Sequence, residues 1–170
     1  MSTTIEKLST ETLILNEIID LSFETSLNTF LGVNKIQSSQ LDVETYKVIA
    51  SSVELITKKL KNEIQLLLSL VKEKSDASLL GQSDFEKIKF ITNIYTHLEN
   101  LEKHNHKIWL ASSQFKVQNS QQDVGDSIRS ISQDIENLNQ KLEFEIKKIR
   151  RTAIELEKEL INHFDYKKVS

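Results

Sequence analysis

Apolar side chains recur along this chain in steps of three and four residues, the spacing that lines one face of a helix. The most regular line runs from Val124 through Ile128, Ile131, Ile135, Leu138 and Leu142. It continues as Ile146, Ile149, Ala153, Leu156, Leu160 and Phe164, and the extra four-residue step at Leu142 reads as a stutter that locally unwinds a left-handed supercoil. A second line, Ile49, Val53, Ile56, Leu60, Ile64, Leu67 and Val71, is a coiled-coil seam with one four-residue insertion. In a third segment Ile88, Ile91, Tyr95 and Leu98 form one row. Phe90, Ile94, Leu101 and Ile108 widen that face enough to meet more than one neighbouring helix. The first segment is the least regular: Ile14, Ile18, Leu21, Leu27 and Phe30 or Leu31 keep helical spacing after a start at Ser9 or Thr10.

These lines predict helices over 10–31, 41–74, 84–117 and 125–165. Ser83 and Glu86 stand three apart at the head of the third, the spacing of a capping box. Polar stretches around Gly32, Gly81 and Gly125 separate the four, as turns after helices require. No proline and only three glycines in 170 residues exclude the turn-rich β and α/β classes. The predicted class is all-α, with long amphipathic helices forming a helical bundle or coiled coil. The chain divides into a disordered N-terminus over 1–9, a three-helix segment over 10–117 and a long C-terminal coiled-coil helix over 125–165. At about 1.5 Å per residue that helix runs on the order of 60 Å, so it projects or pairs with an equally long partner.

Composition narrows the function more than the fold. With 22 basic against 25 acidic residues the net charge is −3, unlike a domain that wraps nucleic acid. Cysteine is absent, which removes disulfides, thiolate metal sites and cysteine nucleophiles. The N-terminal residues lack the pattern of a secretory signal, and no apolar run approaches the roughly 20 residues that span a bilayer. An intracellular location, cytoplasmic or nuclear, is therefore expected. The richness in Asn, Gln, Ser, Lys and Ile matches an AT-rich, yeast-like genome.

No catalytic residue stands out. His104 and His106 are two apart on a helix and face different ways, and His97 and His104 share a face without the carboxylate spacing of a zinc or di-iron site. Phosphate-binding glycine motifs are missing. Glu143, Glu145, Glu155, Glu157 and Glu159 lie among lysines, where helix-surface ion pairs such as Glu143 with Lys147 account for them. No metal, cofactor or small-molecule substrate is expected. The basic run Lys147, Lys148, Arg150 and Arg151 is a possible anion contact, although neighbouring glutamates offset its field, so nucleic-acid or membrane contact is not favoured. Trp109, the only tryptophan, and Phe115 form a possible docking patch, and Phe164 and Tyr166 follow the last seam.

The expected function is that of a non-enzymatic coiled-coil subunit or adaptor in a hetero-oligomer of helical proteins. Small subunits of kinetochore, spindle and tethering complexes share this look, and no motif singles out one family. The partner-binding seam would be Val124, Ile128, Ile131, Ile135, Leu138, Leu142, Ile146, Ile149, Leu156 and Leu160, so that Ile135→Glu abolishes assembly. The alternative is a self-contained four-helix bundle that binds one protein or ligand at its surface.

Overall fold

The computed structural model describes residues 2–34, 43–72, 74, 79, 81–121 and 126–163. Four helices carry almost all of them: α1 (Ser2–Asn34), α2 (Val43–Lys72), α3 (Asp84–Gln121) and α4 (Asp126–Asn162). Among the described residues there is no strand. The helices pack in a ring in which α2 joins α1 to α3, and α4 closes the circuit against both α3 and α1. Polar pairs across each contact run in opposite senses along the two helices. Asn16 and Asp20 meet Gln65 and Lys61, Glu63 meets His97, Lys116 meets Glu136, and Thr4 meets Glu159. The result is an antiparallel, up-down-up-down four-helix bundle.

Each helix buries one line of positions at alternating steps of three and four. In α2 the line is Tyr46, Ala50, Val53, Thr57, Leu60, Ile64, Leu67 and Val71, with Ile49, Ile56 and Leu68 beside it. In α4 it is Ile128, Ile131, Ile135, Leu138, Leu142, Glu145, Ile149, Thr152 and Leu156. The buried Glu145 and Thr152 keep the alternation strict where the apolar pattern alone shows a stutter, and Ile146 and Ala153 widen the buried face there. The equally long partner that α4 requires is supplied within the chain, by α3 on one side and α1 on the other.

The first helix departs most from expectation. It begins at Ser2, so residues 2–9, expected to be disordered, are helical. Ile5 and Leu8 are buried, Thr4 donates to Glu159 at 2.8 Å and Lys7 pairs with Glu155 at 2.9 Å, so this first stretch is held by the far end of α4. The buried line is Ile5, Leu8, Thr12, Leu15, Ile19, Ser22, Ser26, Thr29 and Val33. Ile14, Ile18 and Leu21 lie off it: Leu21 is exposed and the other two are only partly covered. Hydroxyl side chains tolerate this burial because they donate to the preceding turn: Thr12 to the Leu8 carbonyl, Ser22 to that of Ile19 and Thr29 to that of Thr25. Gly32 belongs to the helix rather than to a turn. A Cβ there would stand 2.7 Å from Ile131 Cδ1, so the missing side chain lets the end of α1 approach α4 closely.

The third helix starts at its capping box. The Ser83 amide donates to Glu86 at 3.1 Å and the Glu86 amide donates back to Ser83 Oγ at 3.3 Å. The Ser83 amide, and after it the Ser83 hydroxyl, which also donates to the carboxylate at 3.1 Å, hold the Glu86 carboxyl below its ordinary range. The buried Lys87 ammonium donates to the His163 carbonyl at 3.3 Å, satisfying an orphan acceptor at the end of α4. Farther along, Asn105 and Asn139 are buried against each other. Asn139 Nδ2 donates to the Asn105 carbonyl and to its Oδ1, each at 3.0 Å, and Asn105 Nδ2 returns a longer bond to the Asn139 carbonyl. A polar pair with this reciprocity fits only one register of α3 on α4.

Candidate interaction surface

The seam expected to bind partners lies inside the bundle. Ile128, Ile131, Ile135, Leu138, Leu142, Ile146, Ile149, Leu156 and Leu160 are all buried by this chain's own helices. Val124, Gly125, Phe164 and Tyr166 lie outside the described residues.

The two aromatics of the expected docking patch separate. Phe115 is fully buried, its ring centroid 5.1 Å from that of Tyr46, whose hydroxyl donates to Asn119 at 2.9 Å. Trp109 is 49% exposed and stacks on His106, with centroids 5.3 Å apart and planes 17° from parallel. Six residues along a helix turn about 240° past a full circle, so the two side chains cannot share a face.

Trp109 stands on the crest of α3 between two grooves. Toward α4 lies a cavity of about 430 Å³ lined by Glu102, His106, Trp109, Glu143 and the Asn105–Asn139 pair, with Ile146 and Lys147. Most of its polar groups already have partners: the two asparagines bond each other, Glu143 pairs with Lys147, and Glu102 takes a two-pronged contact from Arg150 at 2.7 and 2.8 Å. That mutual satisfaction leaves little polar capacity for a ligand.

Toward α2 the surface is different. Val48, Ile49, Trp109, Leu110 and Val117 line a cavity of about 560 Å³. Leu110 and Gln114 carry it into a second hollow of about 280 Å³ walled by Leu55, Ile56, Lys59, Lys107 and Ala111. Val48 is 69% exposed and Leu55 55%, and Leu110 and Val117 are similarly open. Five large apolar side chains therefore form one exposed strip along the α2–α3 groove. The sequence points to Trp109 by its rarity, with Leu110 beside it, and gives no sign of Val48, Leu55 and Val117. Exposure at those positions follows from which neighbours α2 and α3 take.

The basic run is largely paired within the chain. Lys147 pairs with Glu143, Lys148 with Glu145 at 3.5 Å and Arg150 with Glu102, leaving Arg151 with no ion pair among the described residues. Arg150 also lies 6.0 Å from the Tyr95 ring centroid. The Tyr95 hydroxyl donates to Glu157 at 2.6 Å, and burial, then that carboxylate, push its pKa up to about 12.

The histidines do not converge. His97 Nδ1 lies 2.9 Å from Glu63, while burial, with Lys107 next, holds His104 below the usual imidazole range and so keeps it neutral. Among the described residues no group of three His, Cys, Asp or Glu side chains is placed to hold a metal ion. No helix among them is long and apolar enough to cross a membrane.

Fold and surface thus define a four-helix bundle whose core is closed by its own chain and whose α2–α3 groove is open and apolar. No family model, curated protein or solved structure matches the chain.

Proposed function

We propose that the protein is a non-enzymatic adaptor or subunit of an intracellular multiprotein assembly, and that it docks a helix of a partner protein in the α2–α3 groove. The observation that carries this reading is the strip of exposed apolar side chains, Val48, Leu55, Trp109, Leu110 and Val117, along two antiparallel helices. Contiguous exposed apolar surface is unfavourable in water and is a mark of interaction sites, and tryptophan is the residue most enriched at their energetic centres. Relative to the expectation from the apolar seam of α4, the contact moves to a different face: the seam makes the fold and the groove makes the contact.

The test is site-specific photocrosslinking in cells. A photoreactive residue at Gln114, on the groove wall, is compared with one at Lys141 on the α1–α4 face. A discrete adduct from position 114 that disappears in a Trp109→Ala background supports the proposal. Adducts of equal intensity and identity from both positions, or adducts indifferent to Trp109, refute it.

A further inference from the structure

The groove carries information about its occupant beyond its apolar floor. At the end near Leu55 and Leu110 its walls are Lys59 and Lys107, and neither ammonium has an ion pair among the described residues. Two carboxylates of the same stretch of α2 are paired with lysines, Glu44 with Lys47 and Glu54 with Lys58, and Glu63 turns to His97 at 2.9 Å, which leaves at most one carboxylate charge against the two ammoniums. His104, one turn from Lys107, is held neutral, so the positive charge there comes from the two lysines alone. The residual field over the groove is therefore positive, although the chain as a whole carries a net charge of −3.

The dimensions are those of a helix. Lining residues run from Glu44 to Lys59 along α2 and from Lys107 to Gln118 along α3. At about 1.5 Å per residue the longer edge spans roughly 22 Å, the length of a helix of about fifteen residues. A trough between two antiparallel helices accepts such a segment with apolar anchors at i, i+4, i+7 and i+11. A second copy of this chain is a poor occupant, because the apolar lines of α1–α4 are already buried in its own core.

Resting on the docking reading above, we infer that the partner segment is an acidic amphipathic helix: its apolar face covers Trp109, Leu110, Leu55 and Val48, and its carboxylates face Lys59 and Lys107. Opposite charge at the edge of an apolar groove speeds encounter and selects among helices that share the same anchors.

The full chain carries its own reporter, since Trp109 is its only tryptophan and is half-exposed. Two synthetic helical peptides of about 18 residues serve as probes, identical in their leucine anchors, free of tryptophan, and flanked by glutamate in one and lysine in the other. Titration with the glutamate peptide is expected to shift Trp109 emission to the blue and saturate, with the lysine peptide at least about ten-fold weaker. In Lys59→Glu/Lys107→Glu the order is expected to invert. These side chains lie on the groove wall outside the core, so the variant's unchanged helical circular dichroism serves as the folding control. Equal affinity for the two peptides overturns the acidic preference while leaving helix docking in the groove intact. Binding of neither overturns both, as does a blue shift on concentrating the protein alone, which would make the groove a self-contact.

Discussion

Replacing Leu142 by alanine separates two roles for the α4 seam, closing the core of its own chain or pairing with other chains. Leu142 is 0% exposed, midway along the buried line of α4, in a helix that packs on both α1 and α3. Truncation removes three carbons from a site with no access to water. Transfer of those groups costs about 2.4 kcal/mol at roughly 0.8 kcal/mol per methylene, and the cavity left behind brings the total to about 3 kcal/mol within an observed range of 2–5. For a chain of this size each kcal/mol lowers Tm by about 2–4 °C, so the midpoint should fall by roughly 6–12 °C. The assay is urea and thermal unfolding of the isolated protein, followed by far-ultraviolet circular dichroism at two widely separated protein concentrations. A bundle closed by its own chain gives midpoints independent of concentration, with the loss seen in full in the monomer. A wild-type midpoint that rises with concentration, or a Leu142→Ala variant within about 0.5 kcal/mol of wild type, would rule out a core closed around Leu142 by this chain alone. By the same logic Ile135→Glu, expected from the sequence to abolish assembly, buries a carboxylate in this core and unfolds the chain, so loss of a partner in that variant reports stability rather than contact.

Three further predictions follow from individual contacts. Asn139→Leu leaves the buried Asn105 Oδ1 without its donor, removes a second donor from the Asn105 carbonyl and should cost about 1–3 kcal/mol, whereas Asn105→Leu/Asn139→Leu should recover much of the loss. A double-mutant cycle without coupling would show that the pair does not act as a unit. Ser26 is buried with no partner for its hydroxyl among the described residues, so Ser26→Ala should stabilise the chain by about 0.5–1.5 kcal/mol, read as a higher urea midpoint; an unchanged or lower one contradicts the assignment. Tyr95 should ionise near pH 12, with that step of the tyrosinate absorbance absent in Tyr95→Phe. The unfolded chain releases the same proton near pH 10, so the folded state binds more protons between these values and stability declines as pH rises from about 10 to 12. Complete tyrosine ionisation by pH 11 would exclude it.

The sequence shows clearly those elements whose buried positions are apolar. The lines through Val53, Leu60 and Val71 and through Ile128, Ile135 and Leu142 are visible as periodicity, and the capping box at Ser83 is visible as spacing. The α1 line is just as regular, yet four of its nine buried members are Thr12, Ser22, Ser26 and Thr29. A hydrophobic pattern passes over hydroxyl side chains whether they bond their own helix, as Thr12, Ser22 and Thr29 do, or lack a partner among the described residues, as Ser26 does, and it settles instead on Ile14, Ile18 and Leu21, off the buried line. The same blindness conceals Asn105 in α3 and Glu145 and Thr152 in α4, and it turns a continuous alternation into a stutter. Long-range pairing is hidden for a different reason. The partner that engages Arg150 is Glu102, and no spacing rule connects residues 48 apart in the chain. The basic run, a possible anion contact only partly offset by its neighbours in sequence, is in three dimensions largely a set of ion pairs: Lys147 and Lys148 pair within α4, and Arg150 reaches across to Glu102 of α3.

That distinction decides where contact with other molecules is to be sought. The bundle has a second apolar exposure on the opposite side, where Phe144 is 61% exposed beside Ile18 in a hollow of about 320 Å³ between α1 and α4. Its other walls are Asn137, Gln140, Lys141 and Glu145, so the apolar surface there is local and is interrupted by polar side chains within one turn. On the α2–α3 side, Val48, Ile49, Leu55 and Ile56 along one wall face Trp109, Leu110 and Val117 along the other, with only the uncharged Ser52, Ser113 and Gln114 among them, and the lysines stand at one end rather than across the middle. A helix laid in the first site covers Phe144 and the partly buried Ile18, whereas in the second it covers an indole and four exposed aliphatic side chains. Apolar burial scales with area, so the longer strip is the one able to hold a partner. Its side chains are also absent from the core, so Trp109→Ala tests the proposed docking without touching the packing that makes the fold.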